Sequence, residues 1–310
     1  MLYNRFLIHG IEQFSNYSKL FVKIERKIVF MKSIFVQDIT RNIKEMCIEA
    51  NYFLSKDMKR ALYHAKEKEE SPLGKQILDQ LDQNLQIAEN DKIPICQDTG
   101  MAVVFIKIGQ EVSIKGGNLT EAIHEGVRQG YREGYLRKSV VRDPIYRENT
   151  KDNTPAIIHY DIIEGDQVII TVAPKGFGSE NMSRIFMLKP ADGIEGVKEA
   201  ILTAVQDAGP NACPPMVVGV GIGGTFEKCA LMAKEALTRN LQEKAAEPYI
   251  QELEQEMLER INKLGIGPGG LGGRQTALAV NINVYPTHIA GLPVAVNICC
   301  HVNRHVSRTI

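Results

Sequence analysis

The stretch MAVVFIKIG, residues 101–109, is an apolar run of strand length, and the polar loop ENDKIPICQDTG (89–100) leads straight into it. A short run of this kind, bounded by turn residues, reads as a β-strand. Working outward, helices lie on both sides. Residues 72–89 place Leu73, Ile77, Leu78 and Leu81 on one helical face, and residues 36–70 repeat Ile43, Met46, Cys47, Ala50 and Leu54 at helical spacing behind Asp38 or Thr40 as a cap. On the other side, NLTEAIHEGVRQGYREGYLR (118–137) has Asn118 or Thr120 to cap it and Glu121 to Glu125 in its early turns.

A long polar loop with Pro144 covers 139–154. AIIHYDII (156–163) and QVIITVAP (167–174), separated by EGD, carry the signal of a β-hairpin. KGFGSEN (175–181) reads as a glycine-containing loop and 193–208 as a helix. MVVGVGIGG (216–224) is a strand entering a glycine turn, with helices from near Thr225 and over 246–264. GIGPGGLGG (265–273) reads as a flexible loop before two more strands, TALAVNINVY (276–285) and LPVAVNICC (292–300). Helices and strands alternate without a strict βαβ rhythm. The expected fold is mixed α/β of the α+β kind, a helical N-terminal part packed with a mixed sheet region in a single compact domain over 31–310.

Residues 1–30 differ in composition from the rest of the chain and precede Met31. They read as an N-terminal extension, either upstream of the natural start or specific to a lineage, and possess neither the long apolar core nor the cleavage site of a secretory signal. Formal charge balances at 37 basic and 37 acidic residues, which argues against a nucleic-acid or membrane-surface binder. No apolar run approaches the roughly 20 residues of a membrane span. Six cysteines occur at 47, 96, 213, 229, 299 and 300, never as Cys-x-x-Cys, in a chain long enough to do without disulfides. A reduced, cytoplasmic protein is expected.

Three cysteine loops share a plan in which the thiol stands beside Gly, Pro or polar residues and flanks an apolar strand: IPICQDTGMAVVF, GPNACPPMVVGVGIGG and LPVAVNICCHVNRH. Cys96, Cys213 and Cys300 are either small buried hydrophobes or dispersed ligands that the fold gathers round an iron–sulfur cluster. Three thiolates in place of four leave one iron open, a Lewis acid that eases departure of hydroxide. Asp98 is either an Asx-type loop cap or a general acid/base, and Gln97 can donate an amide hydrogen bond to a carboxylate. GIGPGGLGG has no Gly-Lys-Ser/Thr ending and follows a helix, so a nucleotide loop is not expected. A mobile loop near the site fits it better.

ICQDTGMAVVF, VAPKGFGSENMSR, GPNACPPMVVGVGIGGT, GPGGLGGRQTALAV and THIAGLPVAVNICCHVNRH, in that order, resemble the class I fumarase and L-tartrate dehydratase family of iron–sulfur hydro-lyases. The resemblance runs from about residue 31 to the C-terminus and is to the alpha-type part. It implies a [4Fe–4S] cluster on Cys96, Cys213 and Cys300, with Cys300 preferred to Cys299 because Arg304 follows it by four residues. Cys47 and Cys229 are left as core fillers. It also implies that Asp98 lies at the substrate as an acid/base group and that Arg137, with Arg142 as nearby rival, pairs with a substrate carboxylate. Gly176 or Gly178 would meet the substrate through the backbone, and His288 would stand near the active site.

The implied reaction is reversible hydration of fumarate to (S)-malate, with dehydration of L-tartrate to oxaloacetate as the alternative. A separate beta-type subunit is implied as obligate partner, with a homodimer of alpha chains or an alpha2beta2 assembly. Two readings from other classes remain beside it: an iron–sulfur sensing module, which has no need of Gln97, Asp98 and Arg137, and a cysteine nucleophile built from Cys96 and His288.

Overall fold

The computed structural model describes residues 31–310, so the extension expected over 1–30 lies outside the described residues. The order is β1 (Lys32–Phe35), α1 (Val36–Tyr52), α2 (Lys56–Lys68), α3 (Pro72–Asp91), β2 (Met101–Gly109), β3 (Val112–Lys115), α4 (Leu119–Glu133), β4 (Ile157–Ile163) and β5 (Val168–Lys175). It continues through the single turn α5 (Phe177–Glu180), β6 (Arg184–Leu188), α6 (Gly193–Ala208), β7 (Met216–Gly223), α7 (Phe226–Ala236), α8 (Pro248–Asn262), β8 (Ala277–Tyr285), β9 (Leu292–Cys299) and β10 (Val306–Thr309). The mixed α/β class expected from the sequence is the one observed.

The helix expected over 36–70 is two helices. Between them Leu54 turns into the core and Ser55 takes extended backbone ahead of α2. Ile39, Ile43, Met46 and Cys47 bury one face of α1 against Ile123, Val127 and Tyr131 of α4. Asn118 caps α4 by accepting the Glu121 N–H, as its sequence position suggests.

β1 and β3 pair in parallel as a two-stranded sheet, and two four-stranded sheets carry the other strands, in the orders β10-β5-β2-β4 and β6-β9-β7-β8. The expected hairpin of β4 and β5 does not form. β2 lies between them, parallel to β4 and antiparallel to β5. An almost wholly buried strand gains more from two partners than β4, which is largely exposed and takes the edge. The β4–β5 connection must therefore cross the end of β2, and Gly109 permits the crossing. A Cβ there would stand 2.2 Å from the Gly165 carbonyl oxygen. The crossing is sealed where the N–H groups of Gly109, Gln110 and Glu111 donate to the carbonyls of Gln167, Ile163 and Gly165.

In both four-stranded sheets an antiparallel pair opens toward one end. β2 begins where β5 ends, with Met101 opposite Lys175, and β7 begins where β9 ends, with Val217 opposite Cys299. The loops holding Cys96, Gly176, Cys213 and Cys300 all leave from those ends.

Candidate active site

The loop 95–100 is fixed from both sides. The buried Tyr131 hydroxyl donates to the carbonyls of Thr99 (2.8 Å) and Gly100 (3.0 Å). Thr99 is also buried. Its hydroxyl accepts the Arg137 N–H at 2.9 Å and donates to the Arg137 carbonyl at 3.2 Å, locking the arginine's backbone to this loop. Neither Thr99 nor Tyr131 was singled out from the sequence, and only the Thr within CQDTG offered a signal.

Both oxygens of Asp98 are placed by backbone donors, Oδ1 by Gly100 N–H at 3.0 Å and Oδ2 by Phe177 N–H at 2.9 Å. The Asx-type reading of Asp98 is therefore correct as geometry, and the second bond ties it to the KGFG turn. A Cβ on Gly176 would stand 3.2 Å from Asp98 Oδ2, while Gly178 faces the Asn211 carbonyl of the Cys213 loop. The segment expected as a loop there is the helical turn α5, wedged between the Asp98 and Cys213 loops.

Cys213 adopts the left-handed conformation at φ 53°, which costs a non-glycine residue on the order of 1–2 kcal/mol. Burial first, and then the neighbouring Cys96, push its thiol above the ordinary range, so these two sulfurs sense one another. The Cys96 thiol donates to Gln97 Oε1 at 3.3 Å, leaving the Gln97 amide N–H free to donate. His301 binds the Cys213 carbonyl through both its backbone N–H (3.4 Å) and Nδ1 (3.0 Å), which brings Cys300 to the same loop. Cys299 is buried at the end of β9, and Cys47 and Cys229 are buried in helices.

Among the described residues, no three His, Cys, Asp or Glu side chains converge as they would on a single metal ion. An iron–sulfur cluster is a larger body with its thiolates spread around it. The surroundings suit an anionic group of that kind. Arg304, only 4% exposed, donates to the Asp98 carbonyl through Nη2 and to the Pro174 carbonyl through Nε, yet its buried Nη1 has no partner. Lys175, 6% exposed, spends its ammonium internally, on the Ile298 carbonyl at 2.9 Å, Ser179 Oγ at 3.1 Å and the Glu180 carboxylate at 3.2 Å, so Arg304 is the cation left over. The thiol of Cys300 is held up by its bond with Cys299 and by burial, while Arg304 draws both thiols the other way.

A cavity of about 560 Å³ opens beside Asp98, lined by Arg137, Ser139, Arg147, Phe177 and Asn181 among others. Arg142 does not line it, which separates it from Arg137. The three cysteines, Gln97 and the two glycines do not line it either; Asp98 links the cysteine loops to the cavity. His288 lies elsewhere. It is exposed in the β8–β9 connection beside Gly224, at the Gly223 end of the eight-residue β7, whereas Cys213 and Cys300 sit at the Met216 end. Seven strand steps, about 23 Å, separate the two ends. GIGPGGLGG packs on the Cys213 loop through Gly269 N–H to the Pro214 carbonyl, and the buried Glu69 carboxylate accepts from the backbone of Arg274 and Gln275. The loop expected to be mobile is thus tied down beside the site.

Comparison with known proteins gives a consistent result. The family model described as fumarate hydratase (Fumerase) matches residues 40–309. The "Putative L(+)-tartrate dehydratase subunit alpha" of Methanocaldococcus jannaschii is 44% identical over 274 residues, covering 86% of this chain and 96% of that protein. The L(+)-tartrate dehydratase subunit alpha of Escherichia coli K12 is 33% identical over 253 residues, covering 80% of this chain and 82% of that protein.

Proposed function

Because the chain belongs to the fumarate hydratase (Fumerase) family of hydro-lyases, we propose that it is the alpha-type part of a [4Fe–4S] hydro-lyase that interconverts fumarate and (S)-malate. The observation that carries this reading is the position of Asp98. Asp98 lines a cavity together with Arg137, and its loop begins with Cys96 beside Cys213.

Cys96, Cys213 and Cys300 would hold the cluster, which when bound supplies a Lewis acid at the iron without a cysteine. The protein's own residues do the rest. Arg137 neutralises a substrate carboxylate and so eases the charge that builds when the adjacent carbon loses its proton. Asp98 takes that proton in dehydration and returns it in hydration. The N–H groups of Gly100 and Phe177 fix the orientation of its carboxylate, and Gly176 leaves room for it. Gln97 offers its amide N–H to a carboxylate, and Arg304 counters the negative charge behind the cysteines. Within one chain His288 is too distant to share in these steps.

The names of the relatives favour a second reading, L-tartrate as substrate, and both relatives are called alpha subunits. A separate beta-type subunit is proposed to complete the site. The test is to reconstitute the chain anaerobically, with and without such a subunit, and to measure turnover of fumarate, (S)-malate and L-tartrate. We expect turnover only in the assembled protein, with fumarate and (S)-malate preferred. Full activity of the isolated chain would sink the two-part reading, and preference for L-tartrate would replace the substrate.

A further inference from the structure

The cavity beside Asp98 is lined by a second arginine that the proposed steps leave unused. Arg147 lines it together with Arg137. Most arginines of the described chain are ion-paired, among them Arg41, Arg128, Arg184, Arg239, Arg260 and Arg308. Arg137 and Arg147, like Arg60, Arg142 and Arg304, make no ion pair with any described carboxylate, and of these five only Arg137 and Arg147 line the cavity.

The backbone around Arg147 is built rather than loose. Asp143 Oδ1 accepts the N–H groups of Ile145 and Tyr146, each at 2.7 Å, and the Arg147 N–H donates to the Asp143 carbonyl at 2.8 Å. Val141 and Asn149 pair as an isolated bridge across the turn. Arg147 itself has φ 62°, a conformation that glycine adopts without steric penalty. An arginine held in that conformation, with its side chain on a cavity and no internal partner, points to use of the guanidinium by something that enters the cavity.

Arg137 is anchored to the Asp98 loop by Thr99, whereas Arg147 is held by the separate turn at 143–147. Two unpaired cations presented to one cavity from two mountings match a ligand with two carboxylates. We propose that Arg147 binds the substrate carboxylate that Arg137 does not, and so selects dicarboxylates over monocarboxylates. The proposal rests on the dicarboxylate reading of the site and adds to it the residue that measures the substrate's second end.

The experiment uses the reconstituted protein assembled with its beta-type subunit and the variants Arg147→Met and Arg147→Lys. Succinate, a dicarboxylate that cannot be hydrated, is titrated by calorimetry, with butyrate as the monocarboxylate control. KM is measured in parallel on whichever dicarboxylate turns over. A charge-assisted pair predicts succinate binding and KM weakened roughly 10- to 100-fold in Arg147→Met, with Arg147→Lys between it and wild type and butyrate binding unchanged. Succinate affinity and KM within about threefold of wild type would overturn the proposal. So would weakened subunit association with unchanged succinate affinity, since Arg147 would then serve the protein partner. The calorimetric arm separates the two failures: succinate binding that depends on Arg147 in a protein that hydrates nothing keeps this inference while the reaction assignment falls. A wild-type protein that does not bind succinate ends both.

Discussion

In the proposed reaction Asp98 is the proton-transfer residue, and its geometry, with both carboxylate oxygens held by backbone N–H groups, sets a sharp expectation. Replacing it with Asn keeps the shape and one acceptor oxygen but removes the base. In the assembled, cluster-loaded protein, Asp98→Asn should lower kcat by about 10²- to 10⁴-fold, the range for loss of a positioned acid/base group, with a much smaller change in KM. A loss of less than tenfold would remove Asp98 from proton transfer. Asp98 and Cys96 stand out in the sequence because they share one contiguous motif, CQDTG, that carries the family resemblance. Thr99 and Tyr131 could not, because what they do depends on Arg137 and the 99–100 carbonyls meeting across a fold. His288 shows the converse. A position near the chain's last cysteine in sequence lies at the far end of a sheet once the strands are laid out.

Among the elements, the loop after α4 carries the cavity's two free arginines, and Asp152 is one of its anchors. Its Oδ1 accepts the backbone N–H and the hydroxyl of Thr154, and its Oδ2 accepts from Arg128 Nε at 3.1 Å. Partial burial alone would raise its pKa, but these bonds outweigh burial and hold it at about 2, below its ordinary 3.8. A depressed carboxylate stabilises the folded state above its unfolded pKa and loses that contribution as pH falls through the folded one. Urea unfolding of wild type and Asp152→Asn should therefore differ by a constant amount from pH 7 to about 5, and the gap should close between about pH 4 and 2. A gap independent of pH would mean the charge is irrelevant. Most elements were readable from periodicity and caps, including α3, α4, α6 and α8. The pairing of β4 with β5 was misread because alternation and a short polar connection reveal two neighbouring strands in sequence, not whether a third one divides them. The short strands β1, β6 and β10 carry too few residues for a periodic signal and owe their form to their partners.

At the scale of the molecule, one buried ionic group joins the two four-stranded sheets. Lys175 ends β5 in the first sheet and donates to Ile298 on β9 in the second. It pairs with Glu180 at 3.2 Å, and Glu180 also engages Lys234 of α7 and Asn297 of β9. Burial would raise the Glu180 pKa, yet Lys175 and Lys234 bring it below the usual value. Removing one partner of a buried pair leaves the other charge uncompensated. Lys175→Met should destabilise the cluster-free chain by about 3 kcal/mol in equilibrium unfolding, softened by the remaining Lys234 pair. A change below about 1 kcal/mol would show that the bridge does not hold the sheets together. KGFGSEN reads from sequence as a glycine-containing loop; that its lysine ammonium turns inward depends on the three-dimensional arrangement, which supplies the Ile298 carbonyl.

The placement of β2 between β4 and β5 has a consequence for how the protein is made. A ribosome releases β2 first, and both of its flanks wait for strands that are translated only after α4 and the long loop have emerged. At ordinary elongation rates that interval is on the order of 3–13 s, and throughout it an apolar strand has neither neighbour in place. Newborn chains are most exposed to edge-to-edge association in that window, so β2 is where a chaperone would first be needed.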